Sequence, residues 1–110
     1  MRYWAFTLLI LLAAPAQAAS TVVATWYGNE LAGNRTANGE VFNPNGLTAA
    51  HRSLPFGTCL RVSNPKTGKS VKVRVNDRGP FTKGVSLDLS AGAARAIGMR
   101  STQPVQMKRC

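Results

Sequence analysis

An all-β barrel with one short helix is the fold class this sequence predicts, and three observations predict it. Apolar alternation comes in short runs, at residues 21–27, 58–63, 70–76 and 104–108. Gly, Pro and Asn punctuate the runs, and only residues 90–97 read as a helix. Closure into a barrel removes unpaired strand edges that so small a domain could hardly cover.

The first 18 residues stand apart. Arg2 precedes an apolar run from Phe6 to Ala14, and Ala16-Gln17-Ala18 has the small-residue pattern of a cleavage site, so residues 1–18 read as a secretory signal cut after Ala18. The run is too short for a membrane span, and no second one follows. No cysteine follows the cleavage pattern to carry a lipid, so no membrane anchor is expected. Residues 19–110, 92 in number, are expected to form one exported domain, periplasmic or extracellular.

Within that domain, residues 21–27 read as the first strand. Residues 28–57 follow as a long Gly-, Asn- and Pro-rich loop, of the kind that carries function, with apolar patches at Val41-Phe42 and from Leu47 to Ala50. Residues 58–63 and 70–76 form a hairpin across Asn64-Pro65-Lys66-Thr67-Gly68, with Val71, Val73 and Val75 facing in and Lys72 and Arg74 facing out. Ser90 caps the helix at 90–97, Gly98 ends it, and residues 104–108 form the closing strand. Phe42, Phe56 and Phe81 are assigned to the core.

Cys59 and Cys110 are the only cysteines, and in an exported chain an even count favours a disulfide. Cys59 shares outward strand parity with Arg61, and Cys110 shares it with Gln106 and Lys108, so a bridge can tie the last strand to an earlier one. A loop of this length makes such a bridge worth roughly 4 kcal/mol by chain entropy.

The chain carries a net charge of +10, which becomes +9 once Arg2 leaves with the leader. On an exported domain such a field points to anionic envelope polymers rather than nucleic acid, or serves solubility alone. The list of acids is short: Glu30, Glu40, Asp77 and Asp88. Asp77 ends a valine-alternating strand at a Gly-Pro turn and is expected at the barrel rim. Its neighbour Arg78 would lower its pKa, unless Asp77 simply pairs with Arg78 or caps the turn. Asp88, between Leu87 and Leu89, points away from the core, and it also stands where it could hold the free amides of the helix. One histidine and four scattered acids show no ligand spacing, so neither a metal nor a cofactor is expected.

Six motifs then occur in order: Ala24-Thr25-Trp26-Tyr27-Gly28, Arg35-Thr36-Ala37-Asn38-Gly39-Glu40, Leu47-Thr48-Ala49-Ala50-His51, Leu54-Pro55-Phe56-Gly57-Thr58, Val75-Asn76-Asp77-Arg78-Gly79-Pro80-Phe81 and Leu87-Asp88-Leu89-Ser90. Together they resemble the barrel domain of the rare lipoprotein A family, from about residue 21 to residue 107. The resemblance implies a six-stranded double-psi β-barrel, related to the N-terminal domain of expansins and to membrane-bound lytic transglycosylase A. It also implies action on peptidoglycan glycan strands. The lipid-anchor cysteine and the C-terminal peptidoglycan-binding repeat of longer members have no counterpart here, so anchoring and septal targeting are not carried over.

The family's functional positions fall on Glu40, His51 and Asp77, with Asp88 matching the Asp-Leu-Ser motif shared with expansins. A lytic transglycosylase needs one such acid. It protonates the glycosidic oxygen, then as a base takes the proton of the muramoyl 6-hydroxyl, which closes a 1,6-anhydro ring. Asp77 is the first choice and Asp88 its rival; His51 would orient or protonate the catalytic group or bind a sugar hydroxyl. Trp26 and Tyr27 offer aromatic planes for sugar faces, but as strand neighbours they point oppositely, so one lines a groove while the other fills the core. Arg35, Arg52 and Arg78 flank the acids, either as partners for lactyl or stem-peptide carboxylates or as solvated surface charge. Two other readings use the same barrel: an expansin-like module that loosens wall polymer without cutting it, and a secreted inhibitor or effector.

Overall fold

The computed structural model describes residues 19–110, and the leader expected at 1–18 lies outside them. Six strands, β1 (Ser20–Tyr27), β2 (Thr48–Ala50), β3 (Cys59–Ser63), β4 (Ser70–Asp77), β5 (Leu87–Ser90) and β6 (Gln103–Arg109), close into a barrel in the order β1-β5-β2-β4-β3-β6. The β1–β5 and β2–β4 pairs are parallel and the other four antiparallel.

Alternation sets the inner face. Leu60, Val62, Val71, Val73, Val75, Leu87, Leu89 and Val105 fill the barrel, each less than a tenth exposed; burying one Leu contributes about 1.5–3 kcal/mol. The helix α1 (Ala91–Ala96) plugs one end with Ala93, Ala94 and the following Ile97. Ser90 is its N-cap, its Oγ accepting from the Ala93 amide at 3.2 Å, and Gly98 at φ +66° ends it.

The expected loop at 28–57 is broken by a strand. Thr48, Ala49 and Ala50 form β2, held between β5 and β4 in the middle of the wall. Two of its three residues are alanine, so pairing on both sides, not propensity, makes it a strand. The preceding stretch is pinned to the start of α1. Gly92 donates to the Pro44 carbonyl at 2.8 Å, and the Ser90 hydroxyl donates to that of Gly46 at 2.6 Å. A Cβ at Gly92 would stand 2.7 Å from the Asn45 carbonyl oxygen, so only glycine permits this approach.

β4 changes face at its end. Val75 lies opposite Ala49, but Asp77, not Asn76, lies opposite Ala50, because a bulge there takes up one residue. Strict alternation would have left Asp77 inside with the valines. The bulge instead turns it outward, onto the face of Ala50.

On the far side of the barrel, Cys59 and Cys110 form a disulfide with α-carbons 5.3 Å apart, beside the Leu60–Arg109 pair of β3 and β6. The phenylalanines depart from expectation. Phe42 is buried, but outside the barrel, stacked on Tyr27. Phe56 is 42% exposed beneath the Arg78 guanidinium, and Phe81 is 82% exposed, because both lie in loops beyond the strand ends with no second layer to cover them.

Candidate active site

The outer face of β1, β5, β2 and β4 carries a second, small apolar cluster of Tyr27, Phe42 and Ala50. Beside it opens a cleft of about 200 Å³, walled by Tyr27, Asn34, Arg35, Thr36, Phe42 and Asp77 among others. The 28–47 segment forms its other bank, facing Asp77, which the bulge turns outward.

Asp77 is the cleft's carboxylate. Its Oδ1 accepts from the backbone amides of Ala37 and Arg78, each at 2.9 Å. Among the described residues it forms no ion pair. Arg78 turns away instead: its Nη1 donates to the carbonyls of His51 at 3.2 Å and Leu54 at 2.9 Å, and its guanidinium lies 3.9 Å above the Phe56 ring centroid. Pairing of Asp77 with the Arg78 side chain is therefore not observed.

Asp88 lies on the same outer face, opposite Ala50 on the other flank of β2. Thr25, its register partner on β1, donates its hydroxyl to Asp88 Oδ1 at 2.7 Å. Burial, foremost, raises the Asp88 pKa; the Thr25 bond opposes this, and the negative charges of Asp77 and Glu30 add to it. The helix amide belongs to Ser90, so Asp88 is not a helix cap.

Glu40 stands behind the cleft rather than in it. Arg74 grips its carboxylate with two nitrogens, the second at 2.8 Å, and Asn38 adds a third contact at 2.7 Å. These bonds, Arg74 first, hold its pKa down to about 2. Together with the Asn38 amide bond to the Asn76 carbonyl at 3.2 Å, they brace residues 36–40 against β4 and so deliver the Ala37 amide to Asp77.

His51 follows β2, and its backbone amide donates to the Asp77 carbonyl at 3.2 Å. Its Nδ1 accepts from the amides of Ser53 and Leu54, both at 3.1 Å. An accepting Nδ1 carries no proton, so the neutral ring is protonated on Nε2. Burial and then the charges of Arg52 and Arg78 lower its pKa, which keeps it neutral.

Of the three candidate arginines only Arg35 walls the cleft. Arg52 is spent on the Val85 carbonyl at 3.1 Å and, more weakly, on that of Pro80. Tyr27 and Trp26 face opposite sides, but neither fills the barrel core, contrary to the expectation for one of them. Tyr27 lies in the cleft wall with one face covered by Phe42, ring centroids 4.6 Å apart, and its buried hydroxyl has no partner among the described residues. Trp26 points to the other side, 45% exposed, into a separate hollow. Sequence reasoning missed Thr25 and Ala37, since one acts through β1–β5 pairing and the other through a backbone amide.

A family model described as "Lytic transglycolase", a double-psi β-barrel domain, matches residues 19–108. The chain belongs to this rare lipoprotein A-like family. The family likeness extends to curated proteins. Over 80 residues it is 65% identical to the "Probable endolytic peptidoglycan transglycosylase RlpA" of Synechocystis sp., covering 73% of this chain and 25% of that one. Over 88 residues it is 49% identical to the "Endolytic peptidoglycan transglycosylase RlpA" of Campylobacter jejuni, covering 78% of this chain and 32% of that one. The rare lipoprotein A-like chain thus spans about a quarter to a third of the length of these relatives. Among solved structures it superposes on Clavibacter michiganensis expansin with a TM-score of 0.66 at 24% identity, over 84% of this chain and 50% of that one. A Streptomyces papain inhibitor gives 0.65 at 19%, over 86% and 96%. These likenesses show the fold, a double-psi β-barrel.

Proposed function

We propose that this domain is a peptidoglycan lytic transglycosylase with Asp77 as its single acid and base. The observation that carries the reading is the position of Asp77: it is the carboxylate on the cleft wall, one oxygen fixed by two amides. Membership of the family and the names of the curated relatives supply the substrate class.

The chemistry balances without a second protein nucleophile. Protonated Asp77 gives its proton to the glycosidic oxygen as the bond from C1 of the muramoyl unit to that oxygen breaks. The resulting carboxylate takes the proton of the 6-hydroxyl as O6 bonds to C1, and the acid is regenerated. Asp88, on the other flank of β2, shares the outer face with Asp77. Neutral His51 is a hydrogen-bond donor through Nε2 rather than a proton source, Arg35 is the cationic partner for substrate carboxylates, and Glu40 positions the loop that holds Asp77. Export and a positive field that attracts the wall polymer complete the reading.

One observation favours a second assignment. Asp88 is the acid whose environment raises its pKa, the direction a general acid requires. The test of the overall reading is incubation of residues 19–110 with peptide-bearing and peptide-free glycan strands, followed by mass spectrometry. New 1,6-anhydromuramoyl ends are expected; intact strands that nevertheless bind would replace the catalytic reading with an expansin-like one.

A further inference from the structure

The hollow beside Trp26 is separate from the acid cleft. It encloses about 250 Å³ and is lined by Trp26, Ala91, Ala94, Arg95, Met99 and Arg100. Its floor is apolar because Ala91 and Ala94 of α1 and the following Met99 line it, which leaves the face of a large ring uncovered. The indole is held in place: Nε1 donates to the Arg100 carbonyl at 3.1 Å. Both arginines are exposed, and the lining contains no carboxylate. Arg95 uses one nitrogen on the Asn45 side chain at 2.7 Å, leaving its other donors free.

We infer that this hollow is a second saccharide subsite, one that takes a sugar ring bearing a carboxylate. The ring's C–H face packs on the immobilised indole, and the carboxylate meets Arg95 and Arg100. Each feature selects part of that ligand. A fixed aromatic plane with methyl groups beneath it suits a flat apolar face and loses little entropy on binding. Two guanidinium groups with no opposing acid select an anion, and arginine binds carboxylates through paired hydrogen bonds. The volume lies below that of most whole-ligand pockets, so it fits one unit of a chain rather than an entire small molecule. Because Trp26 and Tyr27 are consecutive in β1 but face opposite sides, this unit is not the one cleaved at Asp77. The inference rests on the peptidoglycan reading, in which the muramoyl unit is the carboxylate-bearing sugar. The anion is either its own lactyl carboxylate or one on the attached stem peptide.

The test uses a built-in reporter. Trp26 is the only tryptophan in residues 19–110, since the other, Trp4, lies in the leader. The domain carrying Asp77→Asn, which prevents turnover, is titrated while indole fluorescence is followed. Three probes are compared: the peptide-free disaccharide of N-acetylglucosamine and N-acetylmuramic acid, the same disaccharide bearing its stem peptide, and neutral diacetylchitobiose. A saturable change is expected with at least one muramoyl probe, and the stronger of the two identifies the source of the anion. The neutral sugar should bind more weakly, and Arg95→Gln with Arg100→Gln should weaken the muramoyl probe about tenfold. Equal response to the neutral sugar, an unaltered double variant, or silence with all three probes overturns the subsite. The catalytic reading fails separately: absence of anhydro ends with a surviving titration sinks the chemistry and leaves the subsite standing.

Discussion

Asp77 and Asp88 flank the same residue, Ala50, from the two strands on either side of β2. Two strand spacings separate their α-carbons, about 9–10 Å. Both carboxylates reach the outer face, Asp88 by ordinary alternation and Asp77 through the bulge. The barrel thus supplies a rigid base for two acids in different settings, one fixed by amides at a cleft and the other half-buried against Thr25.

Stability should respond to Asp88 in the direction its burial dictates. Its pKa is raised on folding, so the folded state favours its protonated form; its own contribution to stability is fully present below the unfolded value of about 3.9 and is lost as pH rises through the folded value, opposite in sign to that of Glu40. Asp88→Asn should remove that loss and give a thermal midpoint at pH 7 no lower than wild type. Thermal melts from pH 3 to pH 8 check this; a clearly lower midpoint at pH 7 would show that the ionised carboxylate is needed for the fold.

Glu40→Gln should loosen the loop that presents Ala37 to Asp77. The expected signature is faster amide hydrogen exchange at Ala37 and Asn38, with exchange in β1 and β3 unchanged. Activity should fall while binding to sacculi persists, because the substitution disturbs the orientation of the acid rather than the charge of the cleft.

Gly92→Ala should destabilise the domain although alanine is the better helix former by about 1 kcal/mol. The new methyl would meet the Asn45 carbonyl at 2.7 Å, and such overpacking typically costs about 1–3 kcal/mol. Denaturant unfolding checks the sign, and a stabilised variant would contradict the close approach.

The Cys59–Cys110 bridge predicts an intact mass about 2 Da below that of the reduced protein. With a sequence separation of 51, its loss should lower stability by up to about 4 kcal/mol, read from denaturation with and without reductant.

Much of the fold is written in local patterns. The valines of β4 and the leucine–valine alternation of β3 declare their inner faces, and Ser90 and Gly98 bracket the helix by cap chemistry alone. β2 is different: Thr48-Ala49-Ala50 has neither the length nor the side chains of a strand, and its identity comes from β4 and β5, which are distant in sequence. The same non-local origin hides parts of the site. Thr25 meets Asp88 only because β1 and β5 run parallel in one register, and the outward turn of Asp77 depends on a bulge that alternation cannot announce. Arg78 shows the reverse error, since adjacency in sequence suggested an ion pair, whereas the carbonyls of His51 and Leu54 and the Phe56 ring hold its guanidinium elsewhere.

The most direct test of the central claim is the yield of 1,6-anhydromuramoyl ends from Asp77→Asn beside wild type and Asp88→Asn, each first shown to be folded and to bind sacculi. A general acid–base group contributes ~10²–10⁴-fold, so Asp77→Asn should fall to background, while Asp88→Asn retains measurable turnover. Wild-type yield from Asp77→Asn, with none from Asp88→Asn, would contradict the account and move the chemistry to Asp88.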